Sequence, residues 1–151
     1  MILPLLWGIP GYFSISRYDN EGAKKVITQI KNAIATNAPN EKVLFINQRQ
    51  LVTFSIINNI SLIPDFEQTL LMEMGSAGNQ EYLSDFYQDL EDHRFELIIS
   101  FPQDTALRDD NYSFPEESNV WNTRIARPLL NFYQSLISFL DFGVEILQPK
   151  Y

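Results

Sequence analysis

Two short apolar runs constrain this chain more than any other feature. Lys42 to Asn47 (KVLFIN) and Phe95 to Phe101 (FELIISF) are each bounded by polar or turn-forming residues. Runs of this length read as strands buried on both faces, the pattern of a parallel sheet with helices packed over it. Helical spacing lies around and between them. Ala23, Ile27, Ile30 and Ile34 recur at that spacing behind Asp19 or Asn20 as a cap, and Asn37 to Asn40 with Pro39 break the helix. Gln48 to Ser55 begins a short helix, and Asn58-Asn59 marks a turn. Ile60 to Ile63 then reads as a second short strand, ended by Pro64.

The next helix is expected to be capped by Asp65, with Phe66, Leu70, Leu71 and Met74 on one face and Gly75, Gly78 and Asn79 ending it. Glu81 to His93 forms another, with Leu83, Phe86 and Leu90 pointing one way. Gln103 to Pro115 is a polar loop, long for a compact domain, and such loops often carry function. Glu116 to Tyr133 is helical with Trp121, Ile125, Leu129 and Phe132 in register, and Pro128 should kink or divide it. Leu136 to Leu140 and Val144 to Leu147 are strand candidates on either side of Asp141-Phe142-Gly143. Strands alternating with helices predict an α/β fold: a small, mostly parallel, Rossmann-like sheet of about four to five strands with flanking helices. At 151 residues the chain is about one domain, which we place at 17–151.

Residues 1–16 stand apart. Met1 to Ser16 carries no charged side chain and is rich in Leu, Ile, Trp, Tyr and Phe. It is shorter than the roughly 20 apolar residues of a full membrane span, and Pro4 and Pro10 interrupt it. No basic residue precedes the apolar run, so a secretory signal fits poorly. Three readings stay open: the end of a transmembrane helix, an interfacial anchor through Trp7, Tyr12 and Phe13, or a buried first strand.

Charge and composition exclude several function classes. Eleven basic against nineteen acidic residues give a net charge of −8, which opposes binding to nucleic acid and docking on anionic lipid through basic residues. With no cysteine there is no disulfide, thiolate zinc site or cysteine nucleophile. The six residues after the first strand, Gln48 to Thr53, contain no glycine, so the close backbone approach of a dinucleotide site is not provided. No cofactor is expected.

His93, the only histidine, closes a helix with Arg94, where a cation suits the negative end of the dipole. Asp85, Asp89 and Asp92 lie three and four apart, which reads as a solvated acidic face and not as a metal site. No catalytic residue is singled out. The ligand contacts expected are Gln48 and Arg49, because ligands of parallel sheets bind beyond the carboxyl ends of strands. The competing reading for Arg49 is an ion pair with Glu67 or Glu73 that ties down its loop.

Several motifs occur together: Arg49 and Leu51 in a Q-R-x-L turn after a strand, Pro64 with Phe66 and Glu67, and Met72 to Met74 with Gly78 and Asn79. His93-Arg94-Phe95 then leads into an apolar strand, and the ending is Gly143 to Leu147 with Pro149-Lys150. Across roughly 17–150 this pattern resembles the soluble carboxyl-terminal region of bacterial membrane glycosyltransferases of the dolichyl-phosphate-mannose-protein mannosyltransferase group. The resemblance implies a non-catalytic accessory domain for acceptor or partner recognition. Its partners would be the membrane part of the enzyme or the membrane surface, with a protein or glycan acceptor. It would be membrane-associated and extracytoplasmic, with catalytic acidic residues in a membrane-embedded part not contained here. The rival expectation is a free-standing soluble α/β protein, cytoplasmic, binding a small molecule or a protein.

Overall fold

The computed structural model describes residues 20–151. The readings of Met1 to Ser16 and of an Asp19 cap fall outside them. Helix α1 (Asn20–Asn37) leads into strand β1 (Val43–Phe45) and the single turn α2 (Gln50–Thr53). Helices α3 (Gln68–Ala77) and α4 (Gln80–Glu91) follow, then β2 (Leu97–Ser100). Helix α5 (Pro115–Trp121) runs through a π-helical turn (Asn122–Ala126) into α6 (Arg127–Phe132). Strand β3 (Tyr133–Phe139), a 3-10 turn (Leu140–Phe142) and β4 (Val144–Pro149) complete the chain.

The fold is α/β, built on an open four-stranded sheet in the order β1-β2-β4-β3. The expected mostly parallel sheet is corrected to a mixed one. β1 and β2 pair in parallel, Val43 opposite Leu97, while β2 with β4 and β4 with β3 are antiparallel. Connection length is the reason. Parallel strands need a crossover of a dozen residues or more, which α3 and α4 supply between β1 and β2. Only the four residues Leu140 to Gly143 separate β3 from β4, and Gly143 turns the chain at φ 61°. A hairpin is the sole outcome of so short a link. Ile60 to Ile63 is also corrected: it is irregular chain, and Ile60 contributes to the core from a loop.

Helices cover both faces of the sheet. Leu44, Ile46, Ile98 and Leu147 pack against Leu71, Phe86, Leu90, Ile125 and Leu129 from α3, α4, the π turn and α6. On the other face, Val43, Phe45, Leu97, Ile99 and Ile146 meet Val26, Ile30, Ala33 and Ile34 of α1 and Leu51 of α2. The β1 and β2 runs lack polar alternation because neither face meets water.

Pro128 divides its helix as expected, and the structure shows how the break is accommodated. Proline has no N–H to give to the carbonyl four residues back, and its ring displaces that carbonyl. Here that group is Arg124 C=O, inside the π turn into which the helix widens. The Tyr87 hydroxyl donates to it at 2.7 Å, so the freed acceptor is satisfied from α4. Asp65 does not cap α3. The helix starts at Gln68, whose N–H is taken by Ile46 C=O at 2.9 Å, and Glu67 stands at the cap position without a side-chain bond. Gly78 ends α3 at φ 65°, and Gly75, expected to end it, lies inside, where Val120 packs close. The Asn79 side chain caps α4 by accepting from Tyr82 N–H at 3.1 Å.

Candidate functional site

Among the described residues, the carboxyl ends of β1 and β2 carry most of the buried polar side chains. Asn47, Gln48, Ser100, Asn122 and Glu145 are all buried. β1 runs out into Asn47 and Gln48, and Gln48 turns the chain in the left-handed region at φ 60°. A non-glycine residue held there is uncommon and stores strain of roughly 1–3 kcal/mol, which tends to accumulate at functional turns. The Gln48 side chain accepts from Gln50 Nε2 at 2.9 Å.

Asn47 is the unusual residue of the group. Its Oδ1 is the one buried side-chain polar atom among the described residues without a hydrogen-bond partner. Leaving a buried acceptor unpaired costs about 1–3 kcal/mol, and such an atom calls for an explanation.

Arg49 follows directly. Its guanidinium donates to Phe45 C=O at 3.2 Å and Ile63 C=O at 2.9 Å, and its Nε lies 3.6 Å from a Glu67 carboxylate oxygen. The ion pair weighed from sequence is therefore made with Glu67. The Tyr82 hydroxyl donates to Asp65 C=O in the same segment. Arg49 and Tyr82 together pin the chain from Ile63 to Glu67 under the end of β1.

Burial first, then the charges of Asp65 and Glu67, push Tyr82 up from 10.0 to about 12. Burial likewise raises Tyr87 and, further, Tyr133. A tyrosine whose proton is held more tightly in the folded state stabilises fully below pH 10, and the contribution is lost as pH rises through 10 toward 12. Tyr82 is only partly buried, so solvent screening leaves its share at roughly 1 kcal/mol. Melting midpoints are expected to be flat up to about pH 10 and to fall between about pH 10 and 12. Tyr82→Phe should reduce that fall; an unchanged profile would contradict the burial of this hydroxyl, the first cause of its raised pKa.

A second network sits at the end of β2. Ser100 pairs across the sheet with Glu145, and Glu145 with Ser138. Glu145 accepts from Gln103 N–H at 3.0 Å and from the Ser138 hydroxyl at 3.1 Å. Gln103 Nε2 donates to Ser100 Oγ at 2.8 Å, and its Oε1 accepts from the Trp121 indole at 3.0 Å. None of these residues is among the ligand contacts expected from sequence, which are Gln48 and Arg49. The available signal was a polar residue inside an apolar strand, Ser100 in FELIISF and Glu145 in GVEIL.

Other sequence candidates lie elsewhere. The His93 ring packs edge-on against Tyr133 and Tyr151, and His93 takes φ 49° just past the end of α4. Asp89 pairs with Arg94. Among the described residues, no group of three or more His, Asp or Glu could hold a metal ion, and no helix is long and apolar enough to cross a membrane. No family model, curated protein or solved structure matches this chain.

Proposed function

We propose that this chain is a recognition domain that uses the turn Asn47-Gln48-Arg49 to bind a hydroxyl-bearing ligand. We further propose that it is the non-catalytic accessory domain of a membrane-embedded glycosyltransferase that draws sugar from a lipid phosphate. The parallel β1–β2 half is then the Rossmann-like part of that domain, held at an extracytoplasmic membrane surface. The observation that carries the recognition reading is the buried, unpartnered Asn47 Oδ1 beyond the carboxyl end of a parallel strand. That is where ligands of such sheets bind, and a sugar hydroxyl is a donor of the kind this acceptor lacks. Glu145, the buried carboxylate of the neighbouring network, already accepts from Gln103 and Ser138, which suits positioning more than proton transfer. The glycosyltransferase assignment rests on the motif resemblance.

Two measurements test this reading. Titrating the labelled protein with a panel of mono- and oligosaccharides should shift the amide resonances of Asn47 to Gln50. Asn47→Ala should abolish those shifts while leaving the melting midpoint equal or higher, because it removes an unsatisfied acceptor. A clear loss of stability without any ligand response would make Asn47 a structural residue. For the enzyme assignment, the reading frame or gene upstream should encode several transmembrane helices; unrelated genes there would overturn it.

A groove of about 430 Å³ between the end of α1 and the Ile56 to Ile60 segment favours the second reading, a free-standing protein binding a small molecule. Its floor is apolar, with Ile34, Ala38, Ile57 and Ile60, and Lys31, Glu41, Asn58 and Asn59 rim it. Shifts confined to these residues with a small-molecule panel would move the assignment there.

A further inference from the structure

We infer that the segment from Gln103 to Glu117 is a docking surface for a basic, amphipathic polypeptide segment of a protein partner. The inference rests on the recognition reading, not on the glycosyltransferase assignment. Three observations converge.

First, the segment presents large apolar side chains to solvent. Leu107, Tyr112 and Phe114 are 62, 49 and 57% exposed. Phe114 is held in the left-handed region at φ 56°, a conformation that a bulky side chain rarely adopts. Side chains of this size are seldom clustered on a surface unless they meet something.

Second, the first half of the segment is tied down. Asn119 accepts from Arg108 N–H at 2.7 Å and donates to Arg108 C=O at 2.9 Å. Asn122 donates to Ala106 C=O at 2.6 Å, and Arg127 to Thr105 C=O at 3.2 Å. Trp121 holds Gln103. Helix α5, the π turn and the first residue of α6 thus fix a loop that covers little of the core. Fixing a loop beforehand lowers the ordering cost of binding, which is the use of such investment in a recognition surface.

Third, the charge selects the partner. Asp104, Asp109, Asp110, Glu116 and Glu117 are exposed, against the single Arg108. Arg108 is itself occupied, paired with Asp104 and lying over the Tyr112 ring at 4.7 Å. The side chains of Asp110, Glu116 and Glu117 make no hydrogen bond or ion pair among the described residues. Four of the eight net negative charges of the chain therefore sit in this one segment. Carboxylates interleaved with exposed rings complement Lys and Arg side chains, by charge and by cation–π contact. The same charge repels anionic lipid.

The test uses the full chain and a fluorescent Lys- and Arg-rich peptide with interspersed leucines, followed by anisotropy at low and physiological salt. L107S/Y112S/F114S and D109N/D110N/E116Q/E117Q should each weaken binding by about tenfold or more. Neutralising Glu73, Asp85, Glu91 and Asp92 on α3, α4 and its end should change it less than threefold, because attraction to the net charge alone is unspecific. Circular dichroism confirms that each variant is folded, and the altered side chains are all exposed. Equal loss in the control variant would overturn the inference. So would binding to phosphatidylcholine vesicles through Leu107, Tyr112 and Phe114 with no peptide binding, which would make the patch a membrane surface. If the peptide fails while sugars still shift Asn47 to Gln50, the recognition reading stands and this partner falls.

Discussion

Tyr133→Ala is expected to lower stability by about 3–5 kcal/mol and Tyr133→Phe by about 1–3 kcal/mol, measured by urea unfolding. Tyr133 stands where α6 becomes β3 and is fully buried. Its hydroxyl donates to Phe95 C=O at 2.9 Å and accepts from Phe95 N–H at 3.3 Å. One phenol thus satisfies both main-chain groups of the residue two places before β2. Phenylalanine keeps the ring and strands both partners in a dry environment. Alanine additionally leaves a cavity beside Leu90 and Leu147, members of the same cluster. Domains of this size are stable by about 5–15 kcal/mol in all, so the alanine variant should be near its limit. A loss below about 1 kcal/mol for alanine would contradict the burial of this side chain.

Phe86→Ala is the second large effect, again about 3–5 kcal/mol, with the melting midpoint falling by roughly 10 °C or more. The cause here is purely apolar. Phe86 of α4 is fully buried, with the Phe66 ring 5.1 Å away and tilted by 49°. Phe66 in turn meets Tyr82 at 5.7 Å and Phe95 at 6.2 Å, both edge-on. The rings bind α4, the segment before α3 and the start of β2 into one block. Because Phe66 and Phe86 touch, the double variant Phe66→Ala/Phe86→Ala should cost less than the two single losses together. Strict additivity would show that the rings do not share a contact.

Much of the fold was legible in the residues. KVLFIN and FELIISF appear as β1 and β2 because apolar side chains on both faces leave a strand no option but to be covered. The spacing of Ile30 and Ile34, and of Leu83, Phe86 and Leu90, marks which faces of α1 and α4 are buried. Pro128 announced the division of its helix, since a missing N–H acts locally. Strand direction was less legible. The four-residue link at Leu140 to Gly143 held the answer, but the alternation of strands and helices earlier in the chain suggested parallel pairing throughout. Ile60 to Ile63 misled because a short apolar run also suits a loop that packs against α1.

The candidate site was legible in part. Gln48 and Arg49 do follow a parallel strand, but the spare acceptor is their neighbour Asn47. No sequence pattern reports that an amide lacks a donor, since partners come from distant segments. Glu145, Ser100 and Gln103 assemble across β4, β2 and the loop beyond, which only the sheet order reveals.

The sheet also distributes the entropy of assembly unevenly. Phe139 meets Val144 across a turn of a few residues, whereas Val43 meets Leu97 only after α2, α3 and α4 have been threaded between them. Closing a loop costs more as it lengthens, though slowly, and the larger cost is ordering what lies inside it. The carboxyl-terminal hairpin can therefore close on its own chain, while β1 depends on everything between it and β2. The turn that carries Asn47 is thereby tied to the most distant pairing of the sheet.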